Sequence, residues 1–167
     1  YAYYGYASES TTPTAFQGGE PPKISALRTN GAAIGIWHLM REDDVRTVMR
    51  RLAQMVGSDG LHTSGKPHPR LWGTFPRVLG HYSRELGLLS LGEAAHKMTA
   101  KPAATFGLVR RGLIEPGWQA DLCVFDAERV KDQATYENPT APPEGIVHVI
   151  CNGVPTMLNG ERTEGRP

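Results

Sequence analysis

The stretch Met55-Val56-Gly57-Ser58-Asp59-Gly60 decides how this chain is read. Two apolar residues suited to a short strand run into two glycines that bracket a serine and a carboxylate. An apolar strand ending in a glycine-rich loop with an acid fits the C-terminal edge of a barrel strand, where barrel enzymes place their chemistry. The flanking glycines permit unusual backbone angles and close approach of another group. A carboxylate held there is suited to general-base work or to a place beside a metal. A plain Asp-Gly turn is the competing reading.

Before this stretch, Val45, Val48, Met49, Leu52 and Met55 recur at i, i+3, i+4, i+7, which predicts a helix over 41–55. Glu42, Asp43 and Asp44 fill its first turn and arginines follow, an order that suits the helix dipole. Residues 1–40 read as irregular, with Tyr1, Tyr3, Tyr4 and Tyr6, a polar stretch, and one apolar run over 32–39 that reads as a strand.

After Gly60 a long loop is expected to reach Phe75. Phe75, Val78, Leu79, Tyr82 and Leu86 then mark a helix with Pro76 in its first turn. Ser90-Leu91-Gly92-Glu93 has the form of a capping box and starts a helix through Met98. Thr99 is expected to cap a short helix over 102–106, closed by Gly107. Strands are predicted at Leu113-Ile114, 121–126, 146–151 and 154–158. Asn152-Gly153 is the hairpin turn, Asn159-Gly160 a further turn, and Pro155 marks an edge strand. Strand–helix alternation followed by a β-meander predicts the end of an α/β domain over 1–107, then a small β domain over 108–167.

Composition bounds the function. The 167 residues hold 18 Lys+Arg against 17 Asp+Glu, a net charge of +1, which argues against a nucleic-acid binder that works by bulk charge. Nineteen glycines and thirteen prolines exceed the usual ~12% and imply many turns. No apolar run approaches the ~18 residues that span a bilayer. Cys123 and Cys151 lie in apolar strand-like runs and read as two buried small hydrophobes, with no CxxC zinc spacing. A cytoplasmic location is the expectation. The chain opens on Tyr1 and has no methionine before Met40, so it is expected to be a piece of a longer protein.

Arg70 follows His68-Pro69, eleven residues after Asp59. A guanidinium there suits a substrate carboxylate, which it binds through two hydrogen bonds; a solvated loop arginine is the alternative. None of His38, His62, His68, His81, His96 and His148 forms an HxH or HExxH pair, and the spacing of His62 and His68 is not diagnostic of a metal. Ser58 lacks the GxSxG surroundings of a nucleophile elbow, and there is no GxGxxG or P-loop.

Gly57-Ser58-Asp59-Gly60 followed by Lys66-Pro67-His68-Pro69-Arg70-Leu71-Trp72-Gly73-Thr74-Phe75-Pro76-Arg77-Val78-Leu79-Gly80 resembles the D-aminoacylase (N-acyl-D-amino-acid deacylase) family of the amidohydrolase superfamily. Lys97-Met98-Thr99 with Pro102-Ala103 and Phe106-Gly107-Leu108 is similar to another stretch of that family. Ala120-Asp121-Leu122-Cys123-Val124-Phe125-Asp126 resembles the superfamily's return into its small β domain. The resemblance implies the C-terminal part of a metal-dependent (β/α)₈ barrel followed by strands of a small β-sandwich. The implied reaction hydrolyses N-acyl-D-amino acids, small-molecule substrates, to a D-amino acid and a carboxylate, with no nucleic-acid or membrane partner.

By the same resemblance Asp59 is the catalytic acid/base and Arg70 holds the substrate's α-carboxylate. Tyr4-Gly5-Tyr6-Ala7-Ser8-Glu9-Ser10-Thr11 is similar to a family stretch in which Tyr4 and Ser10 face the substrate, and Met40 lines the side-chain pocket. The family's zinc ligands, an HxH pair, a cysteine and two later histidines, have no match in this chain. Zinc is therefore expected of the full-length enzyme, and the isolated chain is expected to be inactive. The alternatives are an amidohydrolase acting on a different amide, dihydroorotase- or hydantoinase-like, and a non-catalytic structural fragment.

Overall fold

The computed structural model describes residues 40–62 and 67–167 in full, and the strands at 7–8, 24–29 and 32–37 by their backbone. Those strands, β1 (Ala7–Ser8), β2 (Ile24–Thr29) and β3 (Ala32–Trp37), form an antiparallel sheet in the order β1-β3-β2. The expected strand over 32–39 is thus present as β3. Its partner β2, in register from Ile24↔Trp37 to Thr29↔Ala32, was not foreseen in a stretch read as irregular.

The helix predicted over 41–55 is α1 (Glu42–Arg50), five residues shorter at its C-terminal end. Val45 and Met49 face the core as the periodicity requires, but Leu52 is 81% exposed. The reason lies on another helix. The ammonium of buried Lys97 donates to the main-chain carbonyls of Arg51 and Gln54, and the Lys97 carbonyl accepts from the Val56 N–H at 3.1 Å. This cation takes over carbonyls that another helical turn would have used. Burial, with Lys101 close by, holds the Lys97 ammonium below the usual lysine range. Residues 51–60 run on toward Asp59 without a strand, so the one expected at Met55-Val56 does not form.

The second helix starts earlier than its apolar pattern indicates. α2 (Arg70–Arg77) contains Pro76 near its end rather than in its first turn. Proline lacks the N–H of the helical ladder, and directly beyond it the chain continues as a π-helical segment, Val78–Glu85. α3 (Leu91–Met98) carries the expected capping box. The Ser90 hydroxyl accepts from the Glu93 N–H, and the Glu93 carboxylate accepts from the Ser90 N–H. α4 (Ala100–Phe106) ends on Gly107 in the left-handed region, although Thr99 makes no side-chain cap.

The last sheet is antiparallel, β4 (Leu122–Phe125), β5 (Ile146–Cys151), β6 (Val154–Leu158) and β7 (Glu161–Arg162), in that order. Leu113 and Ile114 form no strand. Pro155 lies on an inner strand rather than an edge. It is tolerated because β7 pairs only with Met157 and Leu158, leaving that part of β6 beyond the β7 pairing. Cys123 is exposed on edge strand β4 and Cys151 is half-buried, both as free thiols, which corrects the expectation of two buried residues.

Val45, Met49, Val78, Leu79, Tyr82, Leu89, Ala94 and Val130 form the core, with Met40, Val56, Phe125 and Ile146 packed against it. Fully buried Tyr82 donates to Glu42 at 3.4 Å, and burial, then Glu42, raises its phenol above the usual range. Arg84 donates to the carbonyls of Ala127 and Val130, tying the π-helical segment to the residues after β4. No helix among the described residues is long and apolar enough to cross a membrane.

Candidate active site

Asp59 occupies the left-handed region at φ 49°, uncommon for a residue with a side chain and best tolerated by aspartate and asparagine. The turn is shaped from both sides. The Gly60 N–H donates to the Ser58 hydroxyl at 3.2 Å. A Cβ added at Gly60 would fall 2.8 Å from the Leu71 Cα, so only glycine lets this loop lie against the start of α2.

That close approach brings the two principal sequence candidates together. Arg70 Nη2 lies 2.8 Å from Asp59 Oδ2. Arg70, expected in a loop, is instead the first residue of α2, and its carbonyl accepts from the Thr74 hydroxyl at 2.7 Å. Its side chain is only 8% exposed, while that of Asp59 is 39% exposed. A buried cation at a helix N-terminus stands against the helix dipole and against its own desolvation. Asp59 offsets one guanidinium nitrogen. Nε and Nη1 remain buried without a hydrogen-bond partner among the described residues. Two guanidinium nitrogens thus lack an acceptor among the described residues, beside a carboxylate that faces solvent.

His68 is buried against this pair. Its Nδ1 accepts the Arg70 N–H at 3.0 Å, and its Nε2 lies 3.0 Å from the Tyr136 hydroxyl. Both ring nitrogens are thus engaged. His62, exposed, packs edge-on to Trp72 with ring centroids 5.9 Å apart. No three or more His, Cys, Asp or Glu among the described residues are grouped so as to hold a metal. Met40 is half-buried and packs against the core. Tyr4 and Ser10 lie outside the described residues. Sequence reasoning passed over Tyr136; its only signal is a single aromatic in the polar stretch 131–140.

The chain belongs to the amidohydrolase family, whose model matches residues 8–157. Within it, the chain is 52% identical over 132 residues to a D-aminoacylase of Alcaligenes xylosoxydans xylosoxydans, covering 79% of this chain and 27% of that protein. It superposes on a D-aminoacylase crystal structure with a TM-score of 0.75 and 50% identity, over 79% of this chain and 28% of the other. The N-acyl-D-glutamate deacylase of Bordetella bronchiseptica, solved with zinc and a phosphonate mimic of the tetrahedral intermediate, gives a TM-score of 0.72 and 44% identity, over 78% of this chain and 28% of that one. The chain thus spans little more than a quarter of the length of these relatives.

Proposed function

We propose that this chain is the C-terminal portion of a zinc-dependent amidohydrolase that hydrolyses N-acyl-D-amino acids to a D-amino acid and a carboxylate. The observation that carries the reading is the buried Arg70 guanidinium, paired to solvent-facing Asp59 and still holding two unpartnered nitrogens among the described residues. A substrate with its own carboxylate supplies the missing anion, and arginine's fixed fork suits it better than lysine's point charge. The similarity to D-aminoacylase and to N-acyl-D-glutamate deacylase supports the same substrate class.

In this reading residues 1–107 are the end of a (β/α)₈ barrel and residues 108–167 strands of a small β-sandwich. The loop at 57–60 then lies at the catalytic edge. Met40, Tyr4 and Ser10 line the substrate side, and the enzyme is cytoplasmic.

Arg70 binds the α-carboxylate and thereby fixes where the scissile amide lies. Asp59 takes a proton from the attacking water as its oxygen bonds to the amide carbon. It then delivers that proton to the leaving nitrogen as the C–N bond breaks. The described side chains do not fit a metal centre of their own: no suitable group is present among them and both nitrogens of His68 are engaged. Zinc is assigned to the complete enzyme and not to these residues.

Two variants of the complete enzyme test the roles. Asp59→Asn is expected to lower kcat by about 10²–10⁴-fold with metal content retained; a kcat near wild type removes the acid/base assignment. Arg70→Lys is expected to raise KM by roughly 10–100-fold, the scale of a charge-assisted contact, with a smaller change in kcat. An unchanged KM removes the carboxylate clamp.

A further inference from the structure

Arg70 is fixed from a second direction, by a segment distant in sequence. The stretch between β4 and β5 closes on itself through mutual hydrogen bonds of Lys131 and Glu144, 3.3 and 3.0 Å long. At its tip the Asn138 N–H donates to the Thr135 hydroxyl at 3.0 Å, and the Thr135 N–H donates to the Asn138 carbonyl at 3.1 Å. This reciprocal turn holds Tyr136 between its two members. Tyr136 meets buried His68 edge-on, with ring centroids 5.2 Å apart and planes at 79°, as well as through its hydroxyl.

The imidazole has one arrangement that satisfies these contacts. Nδ1 accepts from the Arg70 main-chain N–H, so it carries a lone pair. The ring proton is then on Nε2, which donates to the Tyr136 oxygen. The Arg70 N–H is one of the orphan donors at the start of α2, and His68 satisfies it with an imidazole rather than the usual cap oxygen. Position and orientation thus pass from Tyr136 to His68 and from His68 to the Arg70 backbone.

We propose that Tyr136 and His68 are positioning residues for Arg70, so that the 131–144 segment sets the enzyme's selectivity for substrates bearing an α-carboxylate. The proposal rests on Arg70 as the carboxylate clamp, and its test is built to separate the two. In the complete enzyme, KM and kcat are measured for an N-acetyl-D-amino acid and for the corresponding N-acetyl amine without the carboxylate.

Tyr136→Phe keeps the ring and removes only the hydroxyl. It is expected to raise KM for the acid about threefold to tenfold, the scale of one lost hydrogen bond, with kcat within twofold and the N-acetyl amine unaffected. His68→Phe, which removes both contacts, is expected to have a larger effect of the same pattern. His68→Asn, which retains an acceptor for the Arg70 N–H, is expected to recover part of the loss. Equal losses on both substrates, or an unchanged KM for the acid in Tyr136→Phe, overturn the positioning role. Arg70→Lys is the control: if it leaves KM for the acid unchanged, the clamp itself fails. If it raises KM while Tyr136→Phe and His68→Phe do not, the clamp stands and the positioning proposal fails.

Discussion

Asp59-Gly60 and Asn152-Gly153 are the same kind of dipeptide, a short polar residue followed by glycine, and both polar residues sit at φ 49°. The glycines do different work. Gly153 is itself left-handed at φ 80° with no atom within 4 Å of where a Cβ would stand, so it is required for backbone conformation alone. The turn joins β5 to β6 and is legible in four residues. Gly60 is required by space, because the start of α2 lies against it. Asp59 pairs with a residue eleven positions away, whose main chain is in turn held by His68 and, through it, by Tyr136. One dipeptide makes a turn whose left-handed angles come from its own two residues, with outside contacts added to it. The other makes a loop that stands on distant contacts.

Alanine at the two glycines tests that contrast. Gly60→Ala places a methyl 2.6 Å from the Leu71 Cδ1 and 2.8 Å from its Cα. The side chain can turn away but the backbone cannot, so a loss of about 2–3 kcal/mol in denaturant unfolding is expected, the upper range for overpacking. Adding Leu71→Ala relieves the Cδ1 contact and not the Cα one, so the double variant should recover less than half. Gly153→Ala meets no neighbour and carries only the left-handed strain, about 1 kcal/mol. Equal losses at the two sites would erase the distinction between a glycine kept for space and one kept for conformation.

The same contrast explains what could be read in advance. Ser90 with Glu93, and Gly107, act through main-chain groups within a few residues of themselves, and Asn152-Gly153 supply the left-handed angles of their own turn, so spacing reveals them. The ends of α1 and α2 do not have that property. α1 stops at Arg50 because Lys97 takes the carbonyls beyond it, and α2 begins at Arg70 where His68 accepts its first N–H. Neither event leaves a mark in the local periodicity. Asp59 and Arg70 were singled out by residue type, glycine context and family resemblance, but their direct pairing was not. Tyr136 was invisible because its partner is 68 residues away.

The smallest expected effect probes what supports the hairpin turn from outside. Asp121 accepts the Asn152 N–H at 2.8 Å and pairs with Arg111, whose other nitrogen donates to the Asn152 side chain at 2.6 Å. The Asn152 N–H, then Arg111, holds the Asp121 carboxyl below its ordinary value of 3.8. A carboxyl with a depressed folded-state pKa binds fewer protons folded than unfolded. Its stabilisation is therefore present above pH 3.8 and is lost as pH falls toward the folded value. Asp121→Asn should cost roughly 0.5 kcal/mol at pH 7, because the group is solvent-screened. It should also flatten the acid side of the stability–pH curve. A curve unchanged between wild type and variant would mean that the Asp121 charge adds nothing to the turn, which would then rest on its own left-handed angles and on the contacts of Arg111 and Ala120.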